Sequence, residues 1–228
     1  SNYVAFSHIR GKVVNNSGLC LLIITGIFLL TSCKSEAVKI TETAIKNIGT
    51  VSLESESLIN EAQKKYDALT EKQKNQVNNY NDLIKAKDEF NGYKYIDLAE
   101  KLYNKIEESE LDFSAKIDFF SGTILTSYIF NADNVRAITS STDPASIQIR
   151  NEAEELYTEF KSMTAENEDL QKAVEEYYIS YEQLCDLLLD YNFTQTNFTV
   201  LADSYKQNYQ DKKENIENVL TVIKGVEE

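Results

Sequence analysis

Residues 168–191 read Glu-Asp-Leu-Gln-Lys-Ala-Val-Glu-Glu-Tyr-Tyr-Ile-Ser-Tyr-Glu-Gln-Leu-Cys-Asp-Leu-Leu-Leu-Asp-Tyr, and their spacing decides the fold. Leu170, Val174, Tyr177, Tyr178, Tyr181, Leu184, Cys185, Leu188 and Tyr191 recur at steps of three and four, the period of an α-helix with one buried face. A strand would need strict alternation, and no segment of the chain shows it. Upstream, Leu98, Leu102, Ile106, Phe113, Ile117, Phe120, Ile124 and Tyr128 keep the same period, as do Ile149, Ala153, Leu156, Tyr157, Phe160 and Met163. Downstream, Phe198, Leu201, Tyr205, Ile216, Leu220 and Ile223 continue it. The steps mix three and four without a sustained heptad, which favours a bundle over a simple coiled coil.

Helix signals divide this region. Asp143-Pro144 reads as a cap followed by a first-turn proline. A turn is expected over residues 162–167, with Thr164 as a candidate cap, and Thr194 or Thr196 starts the last helix. Residues 131–142 read as the clearest loop. The stripe over 97–131 is compatible with one helix or with two that break near 108–112. The expectation for residues 94–228 is an elongated antiparallel helical bundle, since a helix of about 30 residues is about 45 Å long.

Toward the N-terminus, Ile40, Ala44, Ile45 and Ile48 form a stripe ending at Gly49. Ser52 can cap a second helix carrying Leu58, Ile59, Ala62, Tyr66 and Leu69. Thr70 and Gln73 fit a capping box. A third helix carries Val77, Tyr80, Leu83, Ile84 and Phe90. The connections are short, so residues 33–93 are expected to form a small three-helix bundle. The fold class is therefore all-α throughout.

The first 33 residues follow a different logic. Arg10 and Lys12 precede a 12-residue apolar run, Leu19–Leu30, and small residues then lead to Cys33. Basic, apolar and small-residue regions in that order read as a secretory signal. The run is short of the roughly 20 residues of a spanning helix. Leu30-Thr31-Ser32-Cys33 resembles the lipobox of bacterial lipoproteins. That resemblance implies a diacylglycerol on the Cys33 thiol, removal of residues 1–32, and a tether to the outer face of the cytoplasmic membrane. A second resemblance covers Ile45-Lys46-Asn47-Ile48-Gly49-Thr50-Val51-Ser52-Leu53-Glu54-Ser55, Tyr66-Asp67-Ala68-Leu69-Thr70-Glu71-Lys72-Gln73-Lys74 and Val77-Asn78-Asn79-Tyr80. These look like a helical module repeated in surface proteins of Gram-positive bacteria, with the pattern AIxxIGxVxLES, YxALTxxQK, VxNYxxL. The resemblance implies a cell-envelope setting and no catalytic activity.

Composition excludes several functions. The only histidine, His8, lies in the leader, so the remainder has none for a catalytic triad, a histidine base or a His-ligated zinc. After Cys33 only Gly49, Gly92, Gly122 and Gly225 remain, too few and too scattered for a phosphate-cradling loop. No cofactor is expected. Residues 33–228 hold 21 basic and 37 acidic side chains, a net charge of −16. Such a body repels nucleic acid and anionic lipid, so the expected partners are the membrane, through the lipid, and an envelope protein or glycan. Cys185 is left without a disulfide partner and reads as a small buried hydrophobe.

Three acidic clusters, Glu107-Glu108-Ser109-Glu110, Glu152-Ala153-Glu154-Glu155 and Glu166-Asn167-Glu168-Asp169, read as solvated helix faces; metal or paired-carboxylate chemistry would need two acids facing each other across a pocket. The tyrosines allow two readings. They fill wide bundle seams, or some of them, with Tyr178, Tyr191 and Tyr209 as the candidates, offer an aromatic surface for protein or glycan contact. Asn192-Phe193-Thr194 and Asn197-Phe198-Thr199 match glycosylation acceptors but fit helix-start chemistry equally. The functional expectation is a non-enzymatic, lipid-anchored envelope protein with a binding or scaffolding role. The alternatives are a solute- or peptide-binding lipoprotein of a transporter and a carboxylate-based cell-wall hydrolase.

Overall fold

A computed structural model describes residues 34–126, 143–194 and 196–226. Leu30, Thr31, Ser32, Cys33 and the expected loop over 131–142 lie outside the described residues. Among the described residues the secondary structure is helical and contains no strand, as the periodicity requires. The helices are α1 (Glu36–Lys46), α2 (Glu56–Asp67), α3 (Glu71–Lys74), α4 (Tyr80–Glu107), α5 (Glu110–Thr126), α6 (Asp143–Ser162), α7 (Glu168–Leu188) and α8 (Phe198–Val226), with a 3₁₀ turn at Leu53–Ser55. Among the described residues no helix is long and apolar enough to cross a membrane.

The chain divides into two compact units. The first holds, of the described residues, 34–49 and 57–83. Ser35 caps α1 by accepting from the Val38 N–H, and Gly49 follows the helix at φ +64°, a left-handed turn that costs glycine nothing. The buried face of α1 is Val38, Thr41 and Ile45, rotated from the expected stripe, and Ile40 stays 47% exposed. Thr41 can occupy a core position because its hydroxyl donates to the Ala37 carbonyl (2.9 Å) within the helix. Glu42 accepts from the Asn78 N–H (2.8 Å) and pairs with Lys34, and these two interactions hold its carboxyl below the usual range. Thr70 heads α3, its N–H donating to Gln73 Oε1 (2.9 Å) as a capping box requires. Tyr66 stacks on Tyr80 at 4.0 Å, and the Lys74 ammonium lies 5.7 Å from the Tyr66 ring centre.

The second unit comprises residues 50–56 and 84–228. Ser52 caps the 3₁₀ turn that leads into α2. From residue 84 the chain runs up, down, up and down, and cross-helix pairs fix each direction. Lys94 meets Glu159 and Lys105 meets Glu152, so α6 is antiparallel to α4. Arg150 meets Asp186 and Tyr157 meets Tyr178, which reverses α7 against α6. Gln183 meets Asn208 and Glu176 meets Lys212, which reverses α8 against α7. The core runs the length of this unit, from Tyr95 through Leu102, Ile106, Tyr177 and Tyr181 to Phe120 and Phe198.

Several details differ from expectation. Helix α4 crosses position 93/94 unbroken, and the units divide at Leu83/Ile84 instead. Nothing in the sequence stops the helix there, because Gly92 can sit within a helix and Phe90, Tyr93 and Tyr95 continue it. Over the described residues 97–126 the stripe is carried by two helices, parted at Glu108–Ser109, where N–H groups bond three residues back instead of four (Ser109 to Ile106, 2.9 Å). The cap of α7 is Asn167, not Thr164, its side chain accepting from the Leu170 N–H at 2.9 Å. The last helix begins at Phe198, a little beyond Thr194 and Thr196. Asn167→Ala is expected to cost about 1 kcal/mol of stability, read as a lower urea midpoint with an unchanged denaturant slope.

Candidate functional site

The break between α4 and α5 gathers a cluster of carboxylates, hydroxyls and an ammonium inside the second unit. Glu107 ends α4, Glu110 begins α5, and the turn between them directs both carboxylates at the α7–α8 pair. Glu107 Oε1 accepts from the hydroxyls of Tyr177 (2.7 Å) and Tyr209 (2.8 Å), which lie 3.0 Å from each other. Its second oxygen accepts from the Lys213 ammonium, which also donates to Glu110 at 2.7 Å. Next to this cluster, Tyr103 donates to Glu217, and the hydroxyls of Ser109 and Tyr181 lie 3.3 Å apart. The rings pack as tightly as the hydroxyls: Tyr177 lies 5.4 Å from Tyr209 and 5.7 Å from Tyr103.

Electrostatics fix the protonation of this cluster. Tyr177 is fully buried and Tyr209 nearly so, and desolvation pushes both phenols far up from their ordinary value. They remain neutral donors at any physiological pH. Burial works to lower the Lys213 pKa, but Glu107 and Glu110 overcome it, and the net direction is upward. Glu110 is held below the usual carboxylate range, chiefly by its bond to Lys213. Two carboxylates and one ammonium leave the cluster one negative charge, shared with two phenol donors. A crevice against it, bordered by Glu110, Phe113, Leu184, Lys206 and Tyr209, has a volume of about 50 Å³. That is room for a water molecule or two, not for a polymer substrate.

A second charged group lies on the α6–α7 face. Arg150 donates to Glu182 (2.7 Å), Asp186 (3.0 Å) and Asp190 (2.9 Å), three carboxylates one helical turn apart. The planar guanidinium can reach all three at once, which an ammonium could not do with the same geometry. Among the described residues no group of three or more acidic, cysteine or histidine side chains is placed to hold a metal ion.

The tyrosines expected as a presented surface are buried: Tyr178 is 8%, Tyr191 5% and Tyr209 4% exposed. Tyr178 stacks on Tyr157 at 4.0 Å, Tyr209 joins the Glu107 cluster, and Tyr191 packs against Phe120 and Phe193. This corrects the surface reading. The α7 stripe is wide enough to be covered from both sides, by α6 and by α8, so residues one step off its centre still face a neighbour. Tyr191, three residues beyond the end of α7, sits at φ +56°, a left-handed position unusual for an aromatic residue, with its ring packed on Phe120 and Phe193. Cys185 is buried, and desolvation raises its thiol pKa, which leaves it inert.

The role of Glu107 and Glu110 was missed because their cluster reads as a solvated run. One signal was present. Steps of three and four from Leu102 through Ile106 arrive at Ser109 and then Phe113, so a serine occupies a core position in the middle of the acidic run. It is 1% exposed. No protein-family model, curated protein or solved structure matches this chain.

Two buried phenols give opposite expectations. Tyr177→Phe strips Glu107 of a donor and is expected to cost about 1–2 kcal/mol in urea unfolding. The Tyr95 hydroxyl is buried with no hydrogen-bond partner among the described residues, and burial raises its pKa to about 12. Tyr95→Phe keeps the ring on Phe160 and is expected to leave stability unchanged or raise it by about 1 kcal/mol. The pH dependence of the cluster has a definite sign. The Glu110 pKa is lower folded than unfolded, so its contribution is present above the ordinary glutamate pKa of about 4.3 and fades as pH falls through the folded value. The stability gap between wild type and Glu110→Gln should therefore be open at neutral pH and close on acidification.

Proposed function

We propose that the chain is a non-enzymatic, lipid-anchored protein of the cell envelope, held by Cys33 on the outer face of the cytoplasmic membrane, with a binding or scaffolding role. The observation that carries this reading is the order of basic residues, a short apolar run and Leu30-Thr31-Ser32-Cys33. One acyl chain anchors only marginally and two anchor stably, so a diacylglycerol suffices to hold the body.

The described residues support the non-catalytic half of the reading by how they use their chemistry. The partly buried carboxylate of Glu107 is engaged by two phenols and an ammonium that stay protonated. A general acid or base needs an open path to substrate and a pKa near the working pH. Tyr177, Tyr209 and Lys213 have their pKa values driven up, away from neutrality, and the hydrogen bonds of the cluster are already made. The carboxylates around Arg150 are likewise engaged in a structural pair.

The test is covalent labelling in cells. Radiolabelled fatty acid is expected to enter the wild-type chain and to be absent from Cys33→Ser, with Cys33→Ser lost from the washed membrane fraction or retained at higher mass with its leader uncut. Equal labelling of the two chains would contradict the anchor.

A further inference from the structure

We propose that the outer face of α1 and α2 in the first unit, centred on Ile40 and Leu58, rests on the lipid surface to which the chain is anchored. The inference deepens the reading of Cys33 as a lipid anchor and rests on it. Four observations point the same way.

The first is an apolar surface without a partner. Ile40 and Leu58 are 47% and 40% exposed, and with Ala44 they line a crevice of about 280 Å³ between α1 and α2. Ile40 lies outside the buried stripe of α1, so it contributes nothing to the core of its own unit. An isoleucine on a solvated helix face gives no stability there. Grouped with Ala44 and Leu58 along one crevice, it forms an apolar patch that an acyl boundary can cover.

The second is reach. Two residues, Lys34 and Ser35, separate Cys33 from Glu36, the start of α1, which makes three Cα-to-Cα steps. A fully extended chain covers at most about 3.6 Å per residue, so α1 begins within about 11 Å of the lipid-bearing residue. Ile40 lies about 6 Å further along the helix. The face around Ile40 is thus within covalent reach of the headgroup layer.

The third is charge, which is divided very unequally between the two units. The described first unit, residues 34–49 and 57–83, carries seven basic and six acidic side chains, a net charge of +1. Residues 50–56 and 84–228 carry 14 basic and 31 acidic side chains, a net charge of −17. The repulsion expected of the whole body therefore belongs to the second unit. Electrostatics reach only about 8 Å at physiological ionic strength, so the charge that matters at the headgroups is that of the unit tethered there.

The fourth is the rim of the crevice. Glu61 is neutralised by Lys65 at 2.7 Å, and Lys39 has no ion pair among the described residues. Lys39 has a long aliphatic stem, so its ammonium can extend to a lipid phosphate while Ile40 beside it enters the acyl boundary. Glu36 is the remaining acid, at the end of the helix nearest the tether. Among the described residues the rim holds one cation and one anion outside any ion pair and one closed pair, which sum to no net charge against an anionic leaflet.

The test uses the full chain in membranes from cells that make it. An environment-sensitive fluorophore is attached at Ile40→Cys, at Leu58→Cys or, as a control in the second unit, at Val222→Cys, where the native valine is 67% exposed. Cys185 is buried and does not react in the folded chain. Vesicles are then prepared with and without lipids that carry a quencher on the acyl chain. Probes at positions 40 and 58 are expected to lose about half their emission or more, as groups seated about 5–10 Å into the interface do, and the Val222→Cys probe is expected to lose almost none. Lipid quenching equal at all three positions, or absent at 40 and 58 in protein that remains membrane-bound, would overturn the proposal. Protection of position 40 from a water-soluble quencher without lipid quenching would overturn it in favour of a protein partner on this face. A chain absent from the membrane fraction removes the anchor itself, an outcome separate from an anchored chain whose α1–α2 face stays in water.

Discussion

Glu107 stands at the end of α4, and its two oxygens receive Tyr177 from α7 and Tyr209 and Lys213 from α8. A carboxylate in that position is costly unless each lone pair finds a donor, because the low local dielectric magnifies both the attraction and the penalty. The tight turn at Glu108–Ser109 ends α4, re-aims the chain and brings Glu110 onto the same ammonium. The register of the bundle follows from that arrangement. Three chain segments meet at one carboxylate, and an apolar core that could otherwise slide along its helices is pinned at one level. A buried Asn in a coiled coil specifies register in the same way.

This view separates what was legible in the sequence from what was not. The all-α architecture was legible because period and composition agree: Leu170, Val174, Tyr177, Tyr181 and Leu188 state one face, and Pro144 and Gly49 stand where a helix begins or ends. The capping box at Thr70 and Gln73 was legible for the same reason, since cap chemistry is local. The face of α1 was not, because Thr41 is polar by name yet bonds within its own helix, which freed Ile40 to point outward. The candidate site was legible only in part. The tyrosines announced themselves, but whether a tyrosine one step off the stripe faces solvent or a neighbouring helix depends on which helices pack beside it. The Glu107 cluster depends on pairs about 70 to 106 residues apart in the chain, and no local pattern encodes those.

The charge distribution links fold to placement. Most of the acid in this chain lies in the second unit, where Lys105, Arg150, Lys212 and Lys213 neutralise part of it in cross-helix pairs. Pairs of this kind contribute little where they are exposed and more where they are partly buried, so they direct helix orientation more than they stabilise it. The first unit, close to Cys33 in the chain, is nearly neutral. On the proposed reading, the lipid fixes where the protein resides, the first unit tolerates the surface, and the acidic helical body remains soluble in the envelope space and open to a partner.

The claim that one carboxylate pins the bundle is tested most directly by a double-mutant cycle. Urea unfolding of wild type, Glu107→Gln, Tyr209→Phe and the double variant isolates the coupling between the two side chains. The account requires a coupling of about 1–3 kcal/mol, as for groups in one hydrogen-bond network. Strictly additive effects would show that Glu107 and Tyr209 act independently, and would contradict it.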